Sequence, residues 1–200
     1  MDMNELNSRS QSTTKVYLKV RPERLGVLIG EGGKTLKQLE LRTRTRITVD
    51  SVNCSLVIEP ATPEVTADML LKASDFVKAI DAGFSPDKAE RVLEEDQILV
   101  IIDLKEIVGN SPNHLQRVKG RIIGEEGRVK TNIEQATDTY ISIYDDIVAI
   151  IGDYDNAYLA REAIEMIIMG REHSTVYKYL DKRVRELKRR KATEFWIRKP

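Results

Sequence analysis

Two short stretches decide the fold of this 200-residue chain: Ile29-Gly30-Glu31-Gly32-Gly33-Lys34 and Ile123-Gly124-Glu125-Glu126-Gly127-Arg128. They lie 94 residues apart, and in each a G-x-x-G spacing separates an apolar run from a helical pattern. Glycine has no Cβ, so such a loop lets the backbone of another polymer come very close to the protein's own. Its duplication indicates a chain built to hold a strand of nucleic acid.

The repeat extends beyond the glycines at the same offset. A match without a gap over about forty positions predicts a duplicated module. The matched pairs are Leu39-Glu40 with Ile133-Glu134, Thr43 with Thr137, Thr45 with Thr139, Ile47 with Ile141, Val57 with Ile151, and Leu70 with Ile164.

Composition bounds the class of protein. With 41% hydrophobic residues the chain can bury two cores of ordinary size. It has no run of about 18 uncharged apolar residues, so we expect no membrane span. The single cysteine, Cys54, excludes an internal disulfide and favours a cytoplasmic protein.

Charge is concentrated locally, although the net charge is zero. Residues 24–46 contain six Lys or Arg and two Glu, residues 117–134 five and three, and residues 182–200 nine and two. Basic charge near each glycine loop is the footprint of nucleic-acid binding. Because 32% of all residues are charged, clusters of solvated surface charge are the alternative interpretation.

The order of elements distinguishes the loop from two phosphate-binding motifs. A dinucleotide-binding fold places G-x-G-x-x-G directly after a strand, and a Walker loop needs G-x-x-x-x-G-K-[ST], which Gly26 to Gly33 does not match. A helix–G-x-x-G–helix followed by a strand is typical of the KH clamp, which holds about four nucleotides. Two ordinary helix–helix turns remain the alternative.

Both repeats resemble KH cores of the pattern I-G-x-x-G-x-x-x-x-x-[IL]-E-x-x-T: VLIGEGGKTLKQLELRTRTRI and RIIGEEGRVKTNIEQATDTYI. A narrower group is indicated by GFSPDKAERVLEEDQILVIIDLKEIVG, followed by RVKGRIIGEEGR and AREAIEMIIMG. These stretches resemble the partner-of-Nob-one family, KH proteins of small-subunit ribosome assembly. The resemblance covers about residues 15 to 190, and the compact length resembles the archaeal members.

The resemblance implies an α+β fold of two tandem type I KH domains. Each has a three-stranded antiparallel sheet with helices on one face, and a C-terminal helix follows. The expected segments are a flexible N-terminus at 1–14, the first KH domain at 15–83, a linker helix at 84–96, the second KH domain at 97–171, and a basic C-terminal helix and tail at 172–200.

The resemblance also implies a function. We expect binding of single-stranded RNA near the 3′ end of small-subunit (16S) rRNA during ribosome biogenesis and rRNA processing. The expected partners are the pre-small ribosomal subunit and a PIN-domain endonuclease of the Nob family. The sequence offers no nucleophile–base pair, acidic metal cluster or Cys/His site, so we expect no catalysis, cofactor or metal.

The candidate RNA-binding residues comprise both loops and the cations near them. We expect Arg42, Arg44 and Arg46 to alternate on a strand face, where they could contact phosphates or shield a strand edge. The candidates are Ile29, Gly30, Glu31, Gly32, Gly33, Lys34, Lys37, Arg44, Arg46, Arg117, Lys119, Arg121, Ile123, Gly124, Glu125, Glu126, Gly127, Arg128 and Lys130.

The loops depart from the usual KH pattern, which often has Lys or Arg at the variable positions. Glu31-Gly32 and Glu125-Glu126 occupy them here, and carboxylates repel RNA phosphates. Electrostatics therefore favours the first loop as the stronger clamp, whereas the resemblance favours the second, because eukaryotic relatives have lost the first motif. Lys130 takes the place of Leu36 and either contacts a phosphate or faces water.

Two other classes of function stay open. A protein-interaction scaffold in RNA processing would explain the acidic loops, and an exosome-associated RNA binder is conceivable, although the chain lacks room for its barrel domain. Two local predictions complete the picture: Cys54, aligned with Val148, is expected to be a buried small hydrophobe. Thr62-Pro63 is expected to begin the last helix of the first module.

Overall fold

The computed structural model describes residues 14–197, so most of the predicted N-terminal segment 1–14 and the last three residues lie outside it. The chain forms two compact units, the first ending at Ser74 and the second beginning at Asp75. The division falls within a single helix, α3 (Ala67–Asp81). The boundary between the compact units thus lies before residue 83, where the first KH domain is predicted to end.

The first unit contains the elements of one KH module. Pro22 opens α1 because its fixed φ suits the first helical position, where the missing N–H costs nothing. The three strands form an antiparallel sheet in the order β1–β3–β2. The elements are β1 (Val16–Lys19), α1 (Pro22–Ile29), α2 (Lys34–Thr43), β2 (Thr45–Asp50), β3 (Ser55–Pro60) and the start of α3.

One face of this first sheet carries the core. Leu56 and Ile58 on the central strand are fully buried, whereas Tyr17 on the edge strand points away and is exposed. Alternation of inward and outward side chains is the pattern of a sheet that is covered on one face by helices. The helices contribute Leu25, Leu28, Leu39, Leu70 and Ala73 as further buried residues.

The second unit repeats the module with additions. Its sheet order is β4–β6–β5, again antiparallel. The predicted fold class, an α+β fold with two small antiparallel sheets and a C-terminal helix, is confirmed. The elements are α4 (Pro86–Ala89), β4 (Gln97–Asp103), α5 (Leu104–Val108), α6 (Pro112–Ile123), α7 (Arg128–Thr137), β5 (Tyr140–Tyr144), β6 (Ile147–Asp153), α8 (Tyr154–Ile168) and α9 (His173–Ile197).

Residues 82–91, which follow α3 and include part of the linker, pack on the outer face of the second sheet. The Ser142 hydroxyl donates to the carbonyl of Ala82 at 2.8 Å, and a Cβ on Gly83 would collide with Tyr144. The Arg91 guanidinium lies 5.1 Å from the centre of the Tyr140 ring, a cation–π distance. Both faces of this sheet are therefore covered, which explains why the first five residues of β6, Ile147 to Ile151, are all apolar.

The repeat keeps its 94-residue offset only as far as β2. Ile58 pairs with Ile47 in the first sheet, and Ile150 pairs with Ile141 in the second, so β3 matches β6 at an offset of 92. The expected match of Val57 with Ile151 is therefore wrong. The cause is a hairpin turn that is longer in the first module (51–54) than in the second (145–146).

The same turn corrects the prediction for Cys54. This residue is only half-buried and has a φ of 48° in the turn, rather than a place in the core. Its carbonyl accepts from Val20 N at 2.9 Å, as the carbonyl of Asp146 accepts from Leu104 N at 2.8 Å. Cys54 is thus the counterpart of Asp146 and not of Val148.

The last helix of the first module begins later than predicted. Thr62-Pro63 lies in a turn, in which Val65 N donates to the Thr62 carbonyl at 3.2 Å, and the helix starts at Ala67. Thr66, and not Thr62, caps the helix, because its hydroxyl accepts from Met69 N at 3.4 Å. The offset between α3 and α8, each of 15 residues, is therefore 87, and Leu70 does not match Ile164. No helix within the described residues is long and apolar enough to cross a bilayer.

Candidate nucleic-acid interface

The two glycine loops have nearly the same backbone. Gly30 has φ 72° and ψ 175°, and Gly124 has φ 73° and ψ 174°. Gly33 and Gly127 both lie in the left-handed region, with φ of 77° and 76°. Each loop is a single tight 3-10 turn between two helices, so the duplicated sequence produces a duplicated shape.

The first glycine of each loop is required sterically as well as by its dihedral angles. A Cβ on Gly30 would lie 2.2 Å from Thr35 Oγ1, and one on Gly124 would lie 2.3 Å from Val129 Cγ2. By contrast, a Cβ on Gly33 or on Gly127 would meet nothing within 4 Å. The last glycine of each loop therefore faces open space, where the backbone of a ligand could approach.

The helix that follows each loop begins without a side-chain cap. Gly33 precedes α2 and Gly127 precedes α7, and neither helix start receives a side-chain hydrogen bond. The first N–H groups of a helix and the positive end of its dipole attract anions. Each loop consequently presents the start of a helix that no side chain caps.

A repeated set of hydrogen bonds holds each second helix to the following strand. The Glu40 carboxylate accepts from Ile47 N at 2.7 Å, and the Glu134 carboxylate accepts from Ile141 N at 2.7 Å. The hydroxyl pairs Thr43–Thr45 and Thr137–Thr139 lie 2.8 and 2.9 Å apart and are buried. These contacts explain the repeated L-E/I-E and T-x-T residues, which fix α2 on β2 and α7 on β5.

Four of the cations near the first loop are unpaired within residues 14–197. No ion pair of the described residues involves Lys34, Lys37, Arg44 or Arg46. Three of them line an open cleft of about 550 Å³ beside α2 and β2. The cleft is lined by Lys37, Glu40, Leu41, Arg44, Thr45, Arg46 and Ala61.

The predicted strand face of three arginines is wrong. Arg42 lies in α2, Arg44 is the left-handed residue that ends this helix with φ 53°, and only Arg46 belongs to β2. The helix extends to Thr43, whose hydroxyl donates to the Leu39 carbonyl at 2.7 Å. Arg44 and Arg46 nevertheless line the same cleft, so the structure brings them together by another route.

Leu41 is a candidate that the sequence analysis missed. It is 79% exposed and lines the cleft with the cations. An exposed apolar side chain beside free cations suits contact with a base whose phosphate is held nearby. Its position two residues after buried Leu39, off the helical core spacing, was the available signal.

Cations near the second loop are mostly engaged inside the protein. Arg128 pairs with Glu126 of its own loop at 3.0 Å, and Lys130 pairs with Glu134 at 3.1 Å. The ammonium group of Lys130 is thus held by Glu134, so Lys130 matches neither of the two roles expected for it. These contacts lower the positive charge that the second loop presents.

The three candidates on α6 differ among themselves. Arg117 is exposed and has no ion pair within the described residues. Lys119 donates to the Asp145 carbonyl at 3.0 Å and pairs with Asp146 at 3.2 Å. Arg121 donates to the Arg171 carbonyl at 2.6 Å and so ties the end of α6 to the turn before α9.

The hairpin turn at Asp145-Asp146 anchors two lysines. Asp146 pairs with Lys105 at 2.7 Å as well as with Lys119. The hydrogen bond from Lys105, followed by that from Lys119, holds the pKa of the Asp146 carboxyl below its ordinary value. The same pair raises the pKa of Lys105.

Apolar side chains flank both loops at partial burial. Ile29, Leu36, Ile47 and Val49 are half-buried in the first unit. In the second unit Ile123 is 39% exposed and Ile143 is half-buried. Part-covered apolar residues beside a phosphate site can receive unpaired bases. Within the described part of the chain, no group of three or more His, Cys, Asp or Glu is placed to hold a metal ion.

This geometry defines the class of protein. Two modules, each with a three-stranded antiparallel sheet and a helix–G-x-x-G–helix loop, are tandem KH domains of type I. The profile of the eukaryotic type KH domain (KH-domain type I) of PNO1 matches residues 98–185, and the general KH-domain profile matches residues 15–66.

The comparisons narrow the class to one family. A KH domain-containing protein of Methanocaldococcus jannaschii is 33% identical over 91% of this chain and 79% of its own length. The crystal structure of Dim2p from Pyrococcus horikoshii is 40% identical, with a TM-score of 0.79 over 84% of this chain and 99% of that one. The chain belongs to the PNO1 (Dim2p) family of KH proteins.

Two further relatives show the range of the family. A structure from Aeropyrum pernix is 51% identical, with a TM-score of 0.91 over 94% of this chain and 99% of that one. The pre-rRNA-processing protein PNO1 of Yarrowia lipolytica is 29% identical over 82% of this chain. The chain spans 64% of the length of that yeast protein, so the eukaryotic relative contains additional sequence.

Proposed function

We propose that this protein is an RNA-binding factor of ribosome biogenesis that holds single-stranded rRNA in its two KH clamps. The main observation in support is the duplicated loop, in which glycines expose the start of an uncapped helix to a ligand backbone. A relative from P. horikoshii, 39% identical with a TM-score of 0.82, was solved in a complex with a/eIF2alpha and rRNA. Its presence with rRNA supports the same class of ligand for this chain.

The finer assignment follows from the family. The proposed target is the region near the 3′ end of small-subunit rRNA, on the pre-small ribosomal subunit in the cytoplasm. The proposed neighbour is a PIN-domain endonuclease of the Nob family, which would make the cut while this protein presents the strand. We propose no catalytic step for the chain itself, and purified protein should leave the RNA intact.

The clamps work by position and charge. A phosphate at the start of α2 or α7 would accept from backbone N–H groups and gain from the helix dipole. Two clamps of about four nucleotides each would hold about eight, and the second binding event would profit from effective concentration.

Binding to a short oligonucleotide of the rRNA 3′ end tests this proposal. Gly33→Asp with Gly127→Asp adds a negative charge at open positions, and the matched control is Gly33→Asn with Gly127→Asn, because both residues tolerate the left-handed region. We expect the aspartate pair to bind at least about 10-fold more weakly than the asparagine pair at low salt. Equal affinities would contradict the clamp assignment. Gly30 and Gly124 are unsuitable for this test because their substitution disturbs the fold.

A protein-interaction role remains a second candidate for the second module only. The observation that favours it is the pairing of Arg128 and Lys130 with Glu126 and Glu134. If this candidate is right, the single variant Gly127→Asp will leave RNA affinity unchanged while Gly33→Asp lowers it.

A further inference from the structure

Helix α9 packs on the second unit by one face only. Val176 and Leu180 are fully buried, and Tyr179, Val184 and Leu187 pack partly buried against the same core. On the side toward α8, Arg190 and Lys191 are held by acidic residues of the α8 start, and the Tyr179 hydroxyl donates to Glu162. The contacts therefore extend from Val176 to Lys191 rather than being confined to one end of the helix.

The opposite face of α9 carries a row of cations that we call the basic stripe. Its residues follow one another at intervals of four, three and four, which places them on one side of a helix within about 60°. All four are exposed. The stripe consists of Lys178, Lys182, Arg185 and Arg189.

The stripe contrasts with several other helical cations of the unit, which are ion-paired. Arg161 pairs with Glu165 at 2.7 Å, Lys130 with Glu134 at 3.1 Å, and Lys78 with Asp75 at 3.2 Å. None of the four stripe residues has an ion pair within residues 14–197. Two acids border the stripe, of which Glu186 is engaged by Arg183 at 3.1 Å and Asp181 has no ion pair with the four.

The four unpaired cations of the basic stripe do not stabilise helix α9. Four like charges on one face repel one another, and each i, i+4 pair of like charge costs a few tenths of a kcal/mol. A solvated helix face usually interleaves both signs, as the paired cations of this unit do. A row of unpaired cations of one sign is complementary to a row of phosphates.

We propose that the basic stripe is a separate binding surface for the phosphate backbone of a short RNA duplex that adjoins the strand held by the KH clamps. The stripe is rigid and about 16 Å long at 1.5 Å per residue. Double-stranded RNA is recognised mainly through its regular backbone, which a rigid row of charges can follow. The stripe has no aromatic residue on which an unpaired base could stack. The inference rests on the proposed function for the nature of the ligand.

The test uses the full-length protein and two RNA probes, an eight-nucleotide single strand and the same strand joined to a hairpin of about 12 base pairs. The variant replaces all four stripe residues with Gln, which keeps helix propensity. A matched control removes the same charge at four exposed, ion-paired cations. The stripe variant is K178Q/K182Q/R185Q/R189Q, and the control is K15Q/K78Q/K105Q/R161Q.

We expect the stripe variant to bind the hairpin probe about 10-fold or more weakly than the parent protein near 50 mM salt. The slope of log affinity against log salt concentration should also be shallower by about 2 or more. Its affinity for the single strand should change less than about twofold, and the control should retain most of its hairpin affinity. If the stripe variant keeps its affinity for the hairpin, or if the control loses as much, the proposal that the basic stripe binds duplex RNA is overturned. Failure of the clamps is seen separately, because Gly33→Asp with Gly127→Asp would then leave the single-strand affinity unchanged.

Discussion

The two glycine loops are alike in backbone and different in charge. Their first glycines differ by 1° in both φ and ψ, and even the second variable position is left-handed in both, at Gly32 with φ 60° and at Glu126 with φ 51°. Yet Lys34 and Lys37 beside the first loop are unpaired within the described chain, whereas Arg128 and Lys130 are paired with glutamates.

The comparison separates two requirements of a nucleic-acid clamp. The shape depends on glycines at the two ends of the loop and on the Glu and Thr contacts behind it, all of which are duplicated. The strength of attraction depends on whether nearby cations are free, and here the modules diverge. A clamp can therefore keep its fold while its electrostatic contribution is reduced by residues of its own loop.

The largest expected effect tests the shared shape. Gly30→Ala and Gly124→Ala should each lower the free energy of unfolding by about 2–4 kcal/mol, because each combines an unfavourable dihedral with a steric clash. Matched controls are Gly26→Ala in α1 and Gly120→Ala in α6, where a Cβ meets nothing within 4 Å and alanine should stabilise slightly. Urea denaturation measures the free energy of unfolding of all four variants. A loss below about 1 kcal/mol in either loop would show that the two turns are not equally constrained.

The second prediction tests the difference in charge. K34Q/K37Q and R128Q/K130Q remove the same charge from the two clamps. The first variant should lose about 10-fold in RNA affinity near 50 mM salt, and its salt slope should fall by about 1.4, or 0.7 for each phosphate contact. The second should lose less than about threefold, since its cations are already paired. Titrations of a labelled single strand at several salt concentrations supply both numbers, and equal losses would remove the distinction.

The smallest predicted effect concerns the Asp145-Asp146 turn, which pairs with Lys119. The pKa of Asp146 is lowered by Lys105 and Lys119, so its pairs stabilise the fold above the unfolded pKa of about 3.9. That stabilisation is lost as the pH falls through the folded pKa. Asp146→Asn should therefore reduce the thermal midpoint slightly at pH 7 and not at the acid end. A difference that stays constant with pH would indicate a packing effect instead.

Much of the fold could be predicted from the repeat. The G-x-x-G loops, the order of elements and the hairpins follow from local patterns that act within a few residues. The offset after β2 could not, because the length of a hairpin turn changes the register without changing the apolar alternation on which the match relied. Cys54 was misplaced for that reason.

The sequence predicts which residues are candidates for RNA contact, but it does not show which of them are engaged inside the protein. Lys119, Arg121 and Lys130 are candidates because of their charge and their nearness in sequence to the second loop, but their partners Asp146, the Arg171 carbonyl and Glu134 depend on tertiary geometry. Leu41 is missing from the candidates because its exposure depends on which face of α2 packs on the sheet, where Leu39 is buried. Free and engaged cations look identical in a sequence.

The reciprocal exchange of the second variable position tests the central claim most directly. Gly32→Glu and Glu126→Gly give each loop the residue of the other at positions of nearly equal dihedral angles. We predict that Gly32→Glu weakens RNA binding, and that Glu126→Gly strengthens it by about threefold or more and steepens the salt slope by about 0.7 as Arg128 is released. Salt-dependent titration of both variants against the parent protein gives the answer. If Glu126→Gly leaves affinity and slope unchanged, charge within the loop does not set the strength of the clamp, and the account is contradicted.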